Sequence, residues 1–105
     1  MDQERICGQM EIILKEEALA WFKDEMDVEQ GDAVRFFARY GGSSPLHEGF
    51  SLGVTVVQPD EASVSIEKDD VLYYIESRDE WFFDGHDLIV GFDENLQEPA
   101  YEYKK

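Results

Sequence analysis

The chain has 105 residues, a length that suits one domain with a single hydrophobic core. Hydrophobic residues make up 43% and aromatic residues 13%, which is a globular composition. Acidic residues outnumber basic ones by 25 to 9, giving a formal net charge of −16 at pH 7. This charge repels phosphate backbones and anionic lipid surfaces, so we expect binding neither to nucleic acid nor to a membrane.

Cysteine usage and apolar runs narrow the class of protein further. Cys7 is the one cysteine in the sequence, so a domain held by intramolecular disulfides is excluded. No apolar run approaches the roughly 20 residues that a membrane-spanning helix needs, and no hydrophobic signal segment follows the N-terminus. We therefore expect a cytoplasmic protein.

Residues 1–9 carry neither a helical nor a strand period. We interpret them as a loose extension that precedes a single domain at residues 10–105. Met10, where the patterned sequence begins, is an alternative start. Cys7 lies in the extension, and we interpret its thiol as incidental.

The patterned part begins with a short strand, EIIL at residues 11–14, and a helix at residues 16–26. Glu16 and Glu17 suit the positive end of the helix dipole. The apolar side of the helix comprises Leu19, Phe22 and Met26, widened by Ala18 and Trp21.

From residue 33 onward the apolar residues recur with a period of two, which predicts strands. The run VLYYIES at residues 71–77 is apolar on both faces, as a central strand is. Pro99 marks the last run as a strand start or an edge. The predicted strands are residues 33–40, 50–57, 63–67, 71–77, 86–92 and 100–105. One helix with six or seven short, mostly antiparallel strands indicates an α+β domain, a compact sandwich or barrel-like sheet.

The stretches VRFFARYGGSSPLHEGFSLGVTV and WFFDGHDLIVGFDENLQE, in this order of elements, resemble the HesB-like fold of the A-type (IscA-like) iron–sulfur carriers. The resemblance runs from Met10 to Tyr103. Its most specific pieces are the Gly-Ser-Ser loop and the Phe-Asp-Gly-x-x-Leu segment at residues 83–88. In detail the chain is similar to a small, cysteine-less bacterial branch of that family, the YneR-type proteins.

The resemblance implies a fold but not an activity. The family holds iron with one loop cysteine and a C-terminal Cys-Gly-Cys, because thiolates are soft, charged donors. Here Ser43 or Ser44 stands at the loop position, and only Lys104 and Lys105 follow Tyr103. The resemblance therefore implies a HesB-like domain that has lost its cluster ligands.

The loop between the first two long strands has two interpretations. In the structural one, Gly41 and Gly42 adopt positive φ, Pro45 stiffens the turn, and the serines bond to the backbone. In the functional one, the loop binds a ligand or partner, since binding residues concentrate on loops held by rigid elements. The residues of this predicted loop site are Arg39, Gly41, Gly42, Ser43, Ser44, His47 and Glu48.

A metal site is an alternative hypothesis. Imidazole and carboxylate ligands suit zinc, manganese or non-haem iron, provided that two loops converge. The residues of this predicted metal site are His47, Glu48, Asp84, His86 and Asp87. Asp84-Gly85 has a simpler interpretation, as the turn that joins WFF to HDLIV.

Arg35 and Arg39 share one strand face with Phe37 between them. This trio is either an interaction patch or, as we prefer, a set of cations paired with the abundant acids.

The sequence carries no motif of a known catalytic class. Gly-Ser-Ser is not the Gly-x-Ser-x-Gly elbow, and no phosphate-binding glycine motif occurs. We predict a non-enzymatic module, without a cofactor, that binds an unidentified protein or small ligand. The alternative is a protein that handles iron or zinc through His and carboxylate ligands, related to iron–sulfur cluster assembly.

Deletion of residues 1–9 tests the predicted extension. Because these residues lack a pattern, we expect the melting temperature of a chain starting at Met10 to match that of the full chain in a thermal scan. A fall of more than about 4–8 °C, which corresponds to about 1 kcal/mol in a domain of this size, would show that they pack on the core.

Overall fold

The computed structural model describes residues 10–43 and 48–104, with only the backbone of Ser43. The described chain forms seven strands, two α-helices and one short 3₁₀ turn. In chain order these are β1 (Ile12–Leu14), α1 (Glu16–Glu25), β2 (Ala33–Ser43), β3 (Glu48–Val56), β4 (Ala62–Lys68), β5 (Val71–Glu76), the 3₁₀ turn (Ser77–Asp79), α2 (Glu80–Phe83), β6 (Asp87–Asp93) and β7 (Glu98–Lys104).

The strands form two mixed sheets. The smaller sheet has the order β1-β6-β7, in which β1 and β6 run parallel and β7 antiparallel. The larger sheet has the order β3-β2-β5-β4, in which β2 and β5 run parallel and the outer pairs antiparallel. The prediction that residues 71–77 form a central strand is confirmed, since β5 lies between β2 and β4 and is buried along its length.

The core lies between the inner faces of the two sheets and α1. Aromatic rings make up its centre, because Phe22 of α1 packs edge-on against Phe36 of β2, with ring centroids 6.0 Å apart. Phe36 in turn contacts Tyr101 of β7, at 6.3 Å, and so joins the two sheets. Burial of Tyr101 in the core raises its pKa to about 12. The arrangement is sandwich-like.

The predicted N-terminal helix is confirmed, and Ala18 and Phe22 on its apolar side are fully buried. Lys23 of α1 binds the carboxylate of Asp69 in the β4–β5 turn at 2.9 Å, which ties the exposed side of the helix to the larger sheet. No helix in the described part of the chain has the length and apolar character needed to cross a membrane.

The predicted α+β class is confirmed, but the element count needs correction. A second helix, α2, forms at Glu80–Phe83, where the sequence predicted neither a helix nor a strand, just before the expected turn at Asp84-Gly85. Asp84, at φ 48°, and Gly85, at φ 76°, end this helix in the left-handed region. The chain can leave the helix toward β6 because both residue types tolerate that conformation.

The connection from β3 to β4 crosses the outer face of the larger sheet. The carboxylate of Glu76, at the end of β5, accepts the N–H groups of Asp60 and Glu61 at 2.7 and 2.8 Å. These two bonds hold the pKa of Glu76 below its usual value. Tyr74 donates its hydroxyl to the carbonyl of Val57 at 2.6 Å, so the crossing segment is held at both ends.

The β2–β3 hairpin explains the length of its glycine-rich connection. Tyr40 pairs with Phe50 and Ser43 with Glu48, so Gly41 and Gly42 lie opposite Gly49 alone. All three glycines have positive φ, at 113°, 68° and 86°. This is a β-bulge, which bends the hairpin and lets both strands continue beyond Tyr40. The expected long loop is therefore mostly strand, and the predicted positive φ of Gly41 and Gly42 is confirmed.

Replacement of Gly42 tests the bulge. A Cβ at this position is strained at φ 68° and meets the side chain of Ser51 at 3.4–3.5 Å. We expect Gly42→Ala to lower the free energy of unfolding by about 1 kcal/mol, measured by urea denaturation. Gly91→Ala is the control, because its Cβ meets only ordinary contacts, at 3.7 Å or more, and should be neutral or stabilising. An equal effect of both changes would contradict the backbone role of Gly42.

The pH dependence of stability tests Glu76. Its folded-state pKa is lowered, so its ionised form stabilises the fold above the ordinary pKa of about 4.3, and this stabilisation is lost as the pH falls through the lowered value. We expect Glu76→Gln to be less stable than the unmodified chain near pH 7 and to approach its stability near pH 3. Urea midpoints at both pH values measure this gap. Glu67→Gln, an exposed change on β4, should show no comparable gap.

Candidate functional site

The predicted loop site lies at the far end of the β2–β3 hairpin. Arg39 is exposed and pairs in register with Ser51, and Glu48 is exposed at the start of β3. Gly41 and Gly42 form the bulge beside them. Ser44 and His47 lie outside the described residues, and so does the side chain of Ser43.

A row of aromatic rings runs from the hairpin to α2, and we call it the aromatic row: Tyr40, Phe50, Trp81 and Phe82. Each ring meets the next edge-on, with centroids 5.5, 5.2 and 6.0 Å apart. Tyr40 is 85% exposed and Trp81 is 49% exposed, whereas Phe82 is fully buried. The row thus leads from the core to the surface.

The second helix determines which ring faces outward. Phe82 and Phe83 are fully buried against Tyr103 of β7, with centroids 6.2 Å away in both cases. Burial of Tyr103 in this cluster raises its pKa to about 12. Because two successive residues of one helical turn point into the core, the preceding Trp81 lies at the surface.

An ion pair holds the start of this segment. Arg35 of β2 binds Asp79 at 2.6 Å, and the two side chains are only 19% and 10% exposed. The other oxygen of Asp79 lies 3.5 Å from the backbone N–H of Ala38, on the side of β2 that β5 no longer covers. The expected pairing of an arginine with an acid is therefore found at Arg35.

On the outer face of the hairpin, Arg35 packs over an aromatic ring and a glycine. The tip of the Phe37 ring lies against Gly53, where a Cβ would come within 2.5 Å of Cζ. The guanidinium of Arg35 lies over the same ring, 5.3 Å from its centroid, which is a cation–π contact. Arg39 remains exposed next to this pair.

The structure describes four of the five predicted metal ligands, and the side chains of two of them make hydrogen bonds within the chain. Nδ1 of His86 lies 2.9 Å from the carbonyl of Phe83, so it must carry the proton and donate. Asp87 accepts the N–H of Glu11 at 2.9 Å and so links β6 to β1. Asp84 and Glu48 are exposed. No three His, Cys, Asp or Glu side chains converge within residues 10–43 and 48–104, and His47 lies outside them.

The side chains exposed at this end of the chain are of types that suit recognition of another protein. Exposed tyrosine, tryptophan and arginine side chains on a rigid hairpin and helix are the residue types that contribute most to protein–protein binding. The sequence analysis proposed Arg39 and the glycines as site residues, and it did not propose Tyr40, Phe50 or Trp81. The run EWFFD is compatible with a short helix, but four residues are too few for a helical period to be recognised.

The chain is similar to known proteins over most of its length. It is 50% identical over 95 residues to the pyruvate dehydrogenase inhibitor of Bacillus subtilis (strain 168), covering 90% of this chain and 100% of that protein. It is 35% identical over 98 residues to an uncharacterized protein of Staphylococcus saprophyticus and 34% identical over 98 residues to one of Staphylococcus aureus (strain MRSA252). Each of these alignments also covers 90% of this chain and all of the relative.

No family model matches the chain, and no solved structure matches it. The expected membership of the HesB-like A-type iron–sulfur carriers is therefore wrong, because these relatives are named as an inhibitor of pyruvate dehydrogenase or as uncharacterized proteins. The residues quoted for that resemblance have a physical role instead, since the glycines form the hairpin bulge and the Phe-Asp-Gly segment ends α2. The chain belongs to the family that contains the Bacillus subtilis pyruvate dehydrogenase inhibitor and these staphylococcal proteins.

Proposed function

We propose that this chain is a non-catalytic regulator that binds pyruvate dehydrogenase and lowers its activity. The observation that carries the proposal is the 50% identity to a relative named as an inhibitor of that enzyme, over the whole length of the relative. An alignment of this extent leaves no part of the relative without a counterpart in this chain. The absence of a recognised catalytic motif in the sequence agrees with a role in binding.

We propose that the chain contacts the enzyme through the aromatic row, with Arg39 at the same end of the hairpin but on its other face. Tyr40 projects from the bulged end of the hairpin with 85% of its area exposed, and Trp81, two rings along the row, is 49% exposed. Burying large aromatic side chains against a partner gives a favourable free energy at low cost in side-chain entropy. We propose that Gly41, Gly42 and Glu48 of the predicted loop site belong to this surface, whereas Ser44, His47 and the side chain of Ser43 lie outside the described residues.

The charge of the chain indicates what kind of surface the partner presents. A protein of net charge −16 is attracted over a distance to basic patches and repelled from acidic ones. We therefore propose that the contacted region of the enzyme is basic around an apolar centre. Raising the salt concentration should slow association, because it screens the attraction between separated charges.

An inhibition assay tests the proposal. The activity of purified Bacillus subtilis pyruvate dehydrogenase is measured against increasing concentrations of this chain, with the B. subtilis relative as the positive control. We expect a dose-dependent loss of activity. Tyr40→Ala should raise the half-inhibitory concentration at least about tenfold, which corresponds to ~1.4 kcal/mol of binding free energy.

Leu96→Ala is the matched control. Leu96 is 65% exposed in the β6–β7 turn of the smaller sheet, so its truncation also removes an exposed apolar side chain. We expect the control to inhibit like the unmodified chain. No inhibition by the unmodified chain would contradict the proposed function, whereas equal inhibition by Tyr40→Ala would contradict only the role of the aromatic row.

A further inference from the structure

The two sheets have four edge strands, and three of them are protected against pairing with another chain. In the smaller sheet, β1 has only three residues, and β7 carries Pro99 with charged residues along its length. In the larger sheet, β4 has an irregular register near Ala62 and charged side chains at Glu67 and Lys68. The fourth edge, β3, has such features only at its start, where Glu48 and the bulge lie; residues 49–57 include neither an ionisable side chain nor a proline.

The backbone of β3 directs hydrogen-bonding groups toward its free side. Val57 donates its N–H to Ala33 of β2 at 3.0 Å, and the groups of alternate residues in a strand point to opposite sides. The N–H and C=O groups of Phe50, Leu52, Val54 and Val56 therefore point away from β2. No strand in the described part of the chain pairs with that side.

The inner side chains of β3 are incompletely covered. Phe50, Leu52 and Val54 pack against the core but are only partly buried, and Val56 is 39% exposed. On the outer face Ser51 and Thr55 are small and polar, with Gly53 between them. The edge strand thus has apolar side chains on its inner face and small ones on its outer face.

We infer that β3 is the interface between two copies of this chain, which pair antiparallel about a two-fold axis at Gly53. Gly53 is the middle of the uncharged run, and this register uses the whole of it. Phe50 then lies opposite Val56 of the second copy, and Leu52 opposite Val54, with their outward N–H and C=O groups bonded. On the outer face Ser51 lies opposite Thr55, and the two larger sheets become one continuous sheet.

The distribution of charge is what favours a second copy as the occupant. Two molecules of net charge −16 repel each other, so they can associate only where acidic groups stay apart. This register places no ionisable side chain opposite another along residues 49–57. On the outer face, the nearest like charges across the two-fold axis are Arg39 of one copy and Arg35 of the other. Their strands lie three strand spacings, or about 14 Å, apart. That separation exceeds the Debye length of about 8 Å at physiological salt.

Sedimentation velocity over a range of concentrations tests the inference. A nine-residue strand edge is small beside the roughly 1,600 Å² of a standard interface, so we expect a reversible dimer whose fraction rises with concentration. The double change Ser51→Glu with Thr55→Glu puts like charges opposite each other twice in the dimer, and should raise its dissociation constant at least about tenfold. Within one chain each glutamate lies beside an arginine of β2, so folding should be retained.

Two variants make the test specific. Ser51→Glu with Thr55→Lys places opposite charges across the two-fold axis and should restore the dimer. Ser63→Glu with Ser65→Glu adds the same charges to β4, the other edge of the same sheet, and should dimerise like the unmodified chain.

Disulfide trapping provides a second measurement that does not rely on charge. In this register Ser51 and Thr55 of the second copy form a non-hydrogen-bonded pair about 4.5 Å apart at Cα, which is within the range of a disulfide. A chain with Ser51→Cys, Thr55→Cys and Cys7→Ser should form a covalent dimer on mild oxidation. Variants with Ser63→Cys, Ser65→Cys and Cys7→Ser should not.

Three results would overturn the inference: a monomer at all concentrations, a dimer that Ser51→Glu with Thr55→Glu leaves intact, or no trapped dimer. If the unmodified chain is a monomer but this double variant no longer inhibits pyruvate dehydrogenase, the edge receives a strand of the enzyme and not a second copy. Failure of the proposed function would appear separately, as a dimer that does not inhibit.

Discussion

The ion pair between Arg35 and Asp79 determines where the surface of this protein can present aromatic side chains. Charges with so little exposure are costly unless they are paired, and removing one partner of such a pair typically costs about 3–5 kcal/mol. The pair places the end of the 3₁₀ turn beside β2, where β5 has ended, and so sets the position at which α2 begins. Phe82 and Phe83 then pack against Tyr103, and Trp81 can only face outward. The aromatic row is therefore a consequence of a charge interaction on the opposite face of β2.

Much of the fold could be predicted because the spacing of apolar residues along the chain indicates which side chains are buried. The helix at residues 16–26 and the alternating strands are seen in the sequence, and the two-sided apolar run at residues 71–77 identifies the central strand. What could not be predicted depends on contacts between distant parts of the chain. The parallel pairing of β1 with β6 joins residues 76 positions apart, and nothing in EIIL indicates it. The helix α2 is too short to have a period, and it is held by Asp79, whose partner Arg35 lies 44 residues away.

The site was predictable to a similar extent. Glycines at residues 41 and 42 indicate unusual backbone geometry, which the bulge explains, but they do not reveal that the strands continue through it. The same glycines supported the resemblance to the iron–sulfur carriers, because a glycine-rich hairpin looks alike in sequence whatever side chains it presents. Residues that hold a turn are poor evidence of function, since the turn constrains them before any ligand does. Tyr40 continues the alternation of apolar residues along β2, but its ring is 85% exposed because that face extends beyond the core at this end of the hairpin.

The acidity of the chain and the lack of charge on β3 belong to one argument. A net charge of −16 keeps most of the surface of one molecule away from the surface of another, so most edges and loops need little further protection from association. The segment at residues 49–57 departs from that composition, and it does so on the longest edge strand of the described fold. It begins beside the bulge that carries the aromatic row, because Phe50 belongs both to the row and to the outward-facing backbone of β3. Pairing at this edge would therefore hold the strand that carries Phe50. A dimer would present two copies of the aromatic row on one continuous sheet. A partner with two equivalent sites would then bind far more tightly than either row alone allows, provided that the span between the rows matches the span between its sites.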